Sequence, residues 1–337
     1  MNENKILHVM ILDKFLAPFI DFVDENFGRE NHHYVFITSE KYEYGLTPEH
    51  KVEFLYTDDD IFITLLDYMK MAKKIILHGL WRDKVDILLY FNQELLKKCY
   101  WVMWGGDFYF PETKSKIRHE IIKKMAYLIT YIKDDYELTK KWYGISGKYY
   151  ECFMYPSNIY KEYNIKAKEN TTINIQLGNS ADPSNNHIQV LQQLIKYKDE
   201  DIKLFVPLSY GEKGYAKEVI TKGKELFADK FIPLTEFMLF EKYLEFMSKI
   251  DIAIFAHKRQ QAMGNTISLL GFGKKVYLDT QTAQFNFLNN HDISVFNVEE
   301  IDLIELNKEI SYKNKEKIKY LFSKESLKRD LQRIFND

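Results

Sequence analysis

Ile173-Asn174-Ile175-Gln176-Leu177-Gly178-Asn179-Ser180-Ala181-Asp182-Pro183-Ser184-Asn185-Asn186-His187 opens the second half of the chain. A short apolar run stops at a glycine, a polar turn follows, and an amphipathic stretch runs on to Tyr197. That is strand, turn and helix, the repeating unit of a parallel α/β sheet. The unit recurs in both directions. Downstream, strands are expected over 202–206, 231–232, 252–255 and 276–278, with helices over 216–227, 240–249 and 263–272. Upstream, strands over 6–12, 34–38, 75–77, 100–104, 127–132 and 151–155 alternate with helices over 15–27, 61–73, 84–97, 114–125 and 136–143. The polar segment 158–170 holds no apolar run of strand length, so the domain boundary is placed there. The expected organisation is an N-terminal domain over 1–160, a second over 170–312, and a charged helical segment over 313–337. The fold class is α/β: two Rossmann-like, doubly wound parallel-sheet domains in tandem, facing across a ligand cleft.

Composition agrees with two cores and narrows the partners. The 337 residues carry 47 Lys+Arg and 49 Asp+Glu, so no global charge calls for nucleic acid. Aromatic residues make up 15% of the chain, which excludes a disordered protein. Cys99 and Cys152 are too few for a disulfide framework and favour a reducing compartment. The N-terminus lacks the apolar core of a secretory signal, and charges interrupt every stretch that approaches membrane-spanning length. A cytoplasmic protein is expected, soluble or peripheral on the inner membrane face.

In open parallel sheets the ligand sits beyond the carboxyl ends of the strands. Gly178 follows a strand directly and lets the backbone approach a ligand; Asn179 and Ser180 add donors. Ser184 or Asn185 is suited to cap the next helix, whose free N–H groups favour a diphosphate. A second strand end, 255–266, brings Arg259, Gln260 and Gln261 to the start of another helix, and Arg259 suits bidentate contact with phosphate. In the first domain Asp13, His78 and Asp107 each follow a strand and are candidates for the base that takes a proton from an acceptor hydroxyl. Each also has a structural reading: Asp13 as a helix cap, His78 as a satisfied core histidine, Asp107 as a turn residue. Asp58-Asp59-Asp60 looks like an acidic metal motif, but it precedes an amphipathic helix and is read as a cap. His32 and His33 alternate across a strand and cannot share a ligand. No metal site is expected, and no GxGxxG supports a dinucleotide cofactor.

Five stretches together carry a family pattern: 6–13 with His78-Gly79; Trp104-Gly105-Gly106-Asp107-Phe108-Tyr109; Gly178 to Ile188; Val206 to Tyr210; and Phe255 to Gly264. They resemble the bacterial TDP-N-acetylfucosamine:lipid II N-acetylfucosaminyltransferases, glycosyltransferase family 56, in order and over most of the chain. The resemblance implies a GT-B fold without a metal or other cofactor, with the donor in the second domain and the acceptor in the first. It implies transfer of 4-acetamido-4,6-dideoxygalactose, or a similar sugar, from a dTDP-linked donor to a lipid-linked saccharide, with inversion. Carried over, Gly178, Asn179, Ser180, Asn185 and His187 belong to the donor site. Pro207 and Tyr210 lie near the nucleoside, and Arg259, Gln260, Gln261, Gly264 and Asn265 near the diphosphate or sugar. Asp13, His78 and Asp107 face the acceptor, with Asp13 the first choice as base and His78 the second. The segment 256–259 is more basic than the family pattern, and 279–290 carries no family signature.

A lipid-linked acceptor would bring the protein to a membrane. The segment 114–150 carries nine cations against four acids, with Tyr127, Tyr131, Trp142, Tyr143, Tyr149 and Tyr150 between them. Basic and aromatic surface suits an anionic bilayer; a solvated helix covering the sheet is the alternative. Two other functions remain open on sequence: a non-catalytic nucleotide-sugar-binding scaffold, and a nucleotide-sugar epimerase of the same fold.

Overall fold

A computed structural model describes residues 4–163 and 170–337. The chain divides into two units, Met1–Ile159 with Lys324–Asp337, and Tyr160–Ser323.

The first unit alternates strand and helix: β1 (Ile6–Met10), α1 (Leu16–Phe27), β2 (His32–Phe36), β3 (Glu53–Phe54), α2 (Leu66–Met71), β4 (Lys74–His78), α3 (Asp83–Phe91), β5 (Cys99–Val102), α4 (Lys116–Lys124), β6 (Tyr127–Ile129), α5 (Lys133–Tyr143) and β7 (Lys148–Tyr150). All pairings are parallel, in the order β3-β2-β1-β4-β5-β6-β7. Helices on both faces account for the unbroken apolar character of the central strands. Leu7 and Val9 of β1 join one core with Ile75, Leu77 and Trp101. Alternation sends His8 to the opposite face, against Phe19 of α1.

The second unit contains β8 (Ile173–Leu177), α6 (His187–Leu194), β9 (Ile202–Pro207), α7 (Lys213–Phe227), β10 (Phe231–Leu234), α8 (Phe240–Ser248), β11 (Ile252–Phe255), α9 (Met263–Gly271), β12 (Lys275–Leu278), α10 (Ala283–Asn290), β13 (Phe296–Asn297) and α11 (Lys308–Leu321). Its sheet is again parallel, β10-β9-β8-β11-β12-β13. The core gathers Ile175, Leu177, Leu204, Val206, Ile252 and Ile254. In each sheet the strand order reverses once, between β1 and β4 and between β8 and β11. Loops diverge on either side of such a point and leave room for a ligand.

Three expectations are corrected. Residues 151–155 are not a strand; the last strand of the first sheet is β7. Cys152, Phe153, Met154 and Tyr155 are apolar because they are buried in a return segment, and Met154 has φ 59°, which no strand adopts. The helix expected over 61–73 begins with π geometry at Asp60–Leu65 before α2 takes over. The single segment expected over 313–337 is the end of α11 and a separate α12 (Lys324–Asn336). The apolar stripe of α12, Leu327, Leu331, Ile334 and Phe335, is buried, and Phe335 packs on His8 and His32. The two-residue strands β3 and β13, and helix α10, were not anticipated. Residues 164–169 of the expected boundary segment lie outside the described residues.

Candidate functional site

In the second unit the loops after β8 and β11 meet at the point of strand reversal. Gly178 holds φ +69°, and a Cβ there would fall on Nε2 of His187 and Oδ1 of Asn185, so the position admits only glycine. Asn185 is fully buried. Its Oδ1 accepts from Asn179 N at 3.0 Å and lies 2.9 Å from His257 Nε2; its Nδ2 donates to Asp182 O at 3.0 Å and Ser180 Oγ at 3.3 Å. Asn179 Oδ1 faces His257 Nε2 (3.2 Å) and Gln261 Nε2 (3.3 Å), and its Nδ2 donates to the Tyr210 hydroxyl at 2.9 Å. Ser184 Oγ donates to Gln261 at 2.9 Å. Thus Asn179, Ser180, Asn185, Tyr210 and Gln261, separated by up to 82 residues, form one hydrogen-bonded cluster.

The capping expectation changes in detail. Asp182, not Ser184 or Asn185, caps the turn, accepting from Ser184 N at 2.9 Å. Asn185 is unavailable because it braces the Gly178 loop. Asn186, at φ 52°, precedes α6 without a side-chain cap. His187 is buried with its backbone N and Nδ1 both against the Tyr215 hydroxyl, and Nε2 has no partner among the described residues. Burial holds its pKa down at about 4, so it is neutral at ordinary pH.

Helix α9 follows Ala262, which is left-handed and provides no side-chain cap. The first main-chain bond of the helix is Thr266 N to Ala262 O, so the preceding N–H groups point out of its start. Gly264 and Asn265 lie in this turn. Asn265 Nδ2 donates to the Tyr243 hydroxyl (3.0 Å), which also receives Gln176 Nε2 (3.4 Å). Arg259 is half-buried, bonds only the neighbouring Gln260 carbonyl (3.3 Å), and has no carboxylate within ion-pair distance among the described residues. Gln260 is half-buried beside it, and Pro207 ends β9, one strand away from Gly178. Gln176, Tyr243 and His257 were missed on sequence. The place of His257 directly after an apolar strand was the available signal.

In the first unit the three candidate bases separate. Asp13 is half-buried just beyond β1 and, among the described residues, its carboxylate accepts only from Lys14 N, at 2.7 Å. It does not cap α1, whose N-cap is Phe15. Burial raises its pKa above the ordinary carboxylate range. His78 is buried with both ring nitrogens engaged, Nε2 to His8 Nδ1 (3.1 Å) and Nδ1 to the Tyr155 hydroxyl (2.8 Å). Burial drops its pKa to about 3. His8 continues the chain to His32 Nδ1 at 2.9 Å. Asp107 is fully buried and accepts from Leu80 N (3.1 Å), Trp101 Nε1 (2.8 Å) and Trp104 N (3.1 Å). It ties two strand-end loops together. Of the three, only Asp13 presents a carboxylate oxygen outside such a network.

Aromatic rings surround Asp13's strand end. Phe15 lies 4.8 Å from both Trp104 and Tyr155, Trp81 and Trp104 are 5.7 Å apart, and Trp104 Nε1 donates to Tyr155 at 2.9 Å. Trp81 and Trp104 are half-exposed. Gly79, at φ +78°, has no room for a Cβ because the Trp81 indole lies over it.

The basic segment 114–150 presents its cations without its aromatics. None of its six named rings is exposed: Tyr127 stacks on Tyr100 at 4.1 Å, and Trp142 packs on Tyr109. Arg118 is buried against Asp86, and Lys148 pairs with Asp337. Period-two and helical spacing both turn these rings toward the sheet. Of the acidic run, Asp60 accepts from Tyr56 and Thr57 N (2.9 and 2.8 Å) and Asp58 pairs with Lys84. Among the described residues no three His, Cys, Asp or Glu side chains are grouped as metal ligands, and no helix is long and apolar enough to cross a membrane.

The family model of 4-alpha-L-fucosyltransferase, glycosyl transferase group 56, matches residues 12–332. Among solved structures, a glycosyltransferase from Rickettsia africae ESF-5 superposes with a TM-score of 0.68 at 13% identity, covering 100% of this chain and 98% of its own. Anabaena Alr3699/HepE, in complex with UDP and glucose, gives 0.71 at 12% identity, covering 99% and 100%. WaaG, a glycosyltransferase involved in lipopolysaccharide biosynthesis, gives 0.64 at 12% identity, covering 98% of each chain. At these identities the likeness establishes the fold, and that fold is GT-B.

Proposed function

The chain belongs to the 4-alpha-L-fucosyltransferase family, glycosyl transferase group 56, and from that premise we propose a specific reaction for this GT-B glycosyltransferase. It moves a deoxy-amino sugar from a TDP-linked donor to a lipid-linked saccharide at the cytoplasmic membrane face. The second unit takes the donor. The observation that carries this is the cluster at the strand reversal: Asn179, Ser180, Tyr210 and Gln261 gathered beside the uncapped start of α9, with Arg259 at ion-pair distance from no carboxylate among the described residues. Outward N–H groups and a guanidinium without a close ion-pair partner are what a leaving diphosphate needs when no metal neutralises it.

The first unit takes the acceptor. Asp13 removes the proton from the acceptor hydroxyl as its oxygen attacks the anomeric carbon. The bond from that carbon to the phosphate oxygen breaks in the same displacement, so configuration inverts. The nucleoside diphosphate leaves with the electron pair, stabilised by α9 and Arg259. His78 and Asp107 act as positioning residues, because each is buried in hydrogen bonds, His78 with His8 and Tyr155, Asp107 with Leu80, Trp101 and Trp104. The exposed cations of α4 and α5 supply electrostatic attraction to anionic lipid, without an aromatic anchor.

A melting-temperature screen with TDP, UDP and GDP tests the donor assignment, since a ligand of the folded state raises the midpoint. TDP should give the largest shift, and Arg259→Ala should reduce it. No shift with any of the three, or no effect of Arg259→Ala on turnover with an active donor, would overturn the reading.

A further inference from the structure

The geometry points to His257 as a positioning residue of the donor site: its Nε2–H, seated on the Asn185 oxygen that Asn179 N fixes, holds the Asn179 amide in the orientation that delivers a donor to Tyr210. This rests on the second unit being the nucleoside-diphosphate site, and it adds a residue and a proton position to that site.

The assignment can be built from one main-chain group. Asn179 N can only donate, and it bonds the Asn185 side chain at 3.0 Å, so that atom is the amide oxygen. The other end of Asn185 is then Nδ2, which suits its bonds to Asp182 O and Ser180 Oγ at 3.0 and 3.3 Å. His257 Nε2 lies 2.9 Å from the same Asn185 oxygen. A nitrogen facing an oxygen that cannot donate must itself carry the hydrogen, so His257 is the Nε2–H tautomer. This N–H is also 3.2 Å from the near side-chain atom of Asn179, which is therefore Oδ1. Gln261 Nε2 donates to that oxygen as well, at 3.3 Å. What remains of Asn179 is Nδ2, and it donates to the Tyr210 hydroxyl at 2.9 Å.

The sense of this chain matters for an anionic ligand. With the proton on Nδ1, the lone pair of Nε2 would face two carbonyl oxygens. Asn185 cannot turn over in response, because Asn179 N holds it. Asn179 would have to turn against the Gln261 donor and set its oxygen toward Tyr210, whose hydroxyl would then spend its proton on that oxygen. The imidazole acts through this N–H and not through charge. It is 2% exposed, it stacks on Phe255, and burial, with Arg259 adding to it, lowers its pKa to about 3.

Calorimetric titration of TDP and of UDP into the wild type, His257→Leu and His257→Gln tests the inference. His257→Leu should weaken whichever diphosphate the wild type binds by about tenfold or more, since a buried acceptor pair loses its donor. His257→Gln, whose amide reaches the place of Nε2, should recover binding to within about threefold of wild type. A folded Leu variant with wild-type affinity overturns the inference, and so does a folded Gln variant as weak as Leu. Should His257→Leu fail to fold, the imidazole ¹⁵N resonances of the wild type decide. They should report the Nε2–H tautomer, unchanged between about pH 5 and 8. An Nδ1–H tautomer, or titration in that range, overturns it. A wild type that binds neither diphosphate refutes the donor-site reading and this inference with it. Undiminished binding by the Leu variant refutes only the inference.

Discussion

Asp135, in the first turn of α5, offers the sharpest test of how the first unit is built. It is fully buried; one oxygen accepts from the Tyr109 hydroxyl at 2.5 Å, and the other has no partner among the described residues. Burial, with the Asp134 and Asp107 charges adding to it, raises its pKa from 3.8 to about 7. The folded protein therefore keeps a proton that the unfolded chain releases above about pH 4. Stability falls as pH rises from about 4 to 7, and at about 1.4 kcal/mol per pH unit the total loss is up to about 4 kcal/mol. Asp135→Asn cannot ionise and escapes this loss. It keeps an oxygen for Tyr109 but places an NH₂ where the unpartnered oxygen was, a pH-independent cost of about 1–3 kcal/mol. The variant should accordingly be less stable than wild type near pH 4 and more stable near pH 8.5. The swing in midpoint should be at most roughly 8–16 °C for a unit of this size. Calorimetric melting of both proteins across pH 4–9 measures it. A difference in midpoint that does not change with pH refutes the buried-acid account.

Other consequences follow from the two units. Asp13→Asn should lower transfer by roughly 10²–10⁴-fold while leaving nucleoside-diphosphate affinity within about twofold, read by turnover and calorimetry on the same samples. Because burial raises the pKa of Asp13, the acid limb of the pH–rate profile should lie above the ordinary carboxylate range, with activity lost as pH falls through it; a limb at or below that range argues for another base. Trp104→Ala and Trp81→Ala should raise the acceptor KM by up to about tenfold each, if the half-exposed rings carry a sugar face, with donor KM unchanged. Gly79→Ala should destabilise the protein by about 1–3 kcal/mol in urea unfolding, because φ +78° and the Trp81 indole both oppose a side chain.

The order of strands and helices was legible because burial on both sheet faces imposes a pattern that each segment displays by itself. The run Ile252–Phe255 is apolar without a break and is a strand with those bounds. The exceptions have local causes. β3 and β13 are two residues each, too short to show any period. The run ending at Tyr155 is apolar from packing against Phe15 and Trp104, not from pairing, and hydropathy alone does not separate the two.

The candidate site divided along the same line. Strand-end position was enough to point to Gly178, Asn179 and Arg259, because a parallel sheet puts all its carboxyl ends on one edge. It did not separate Asp13 from His78 and Asp107, which share that position. Separation required partners: His8 and Tyr155 for His78, 70 and 77 residues away, and Trp101, Leu80 and Trp104 for Asp107. The aromatics of 114–150 likewise looked like surface beside their lysines until the sheet claimed them.

Sequence by itself determined the two parallel sheets and the edge on which the candidate residues stand. Those follow from patterns repeated every two or four residues, which any local segment carries. Only the tertiary structure decided which loops meet at each strand reversal, which polar groups are already satisfied, and which way the amides around His257 point. These depend on strand order and on hydrogen bonds between residues far apart in the chain, and a local pattern holds no record of either.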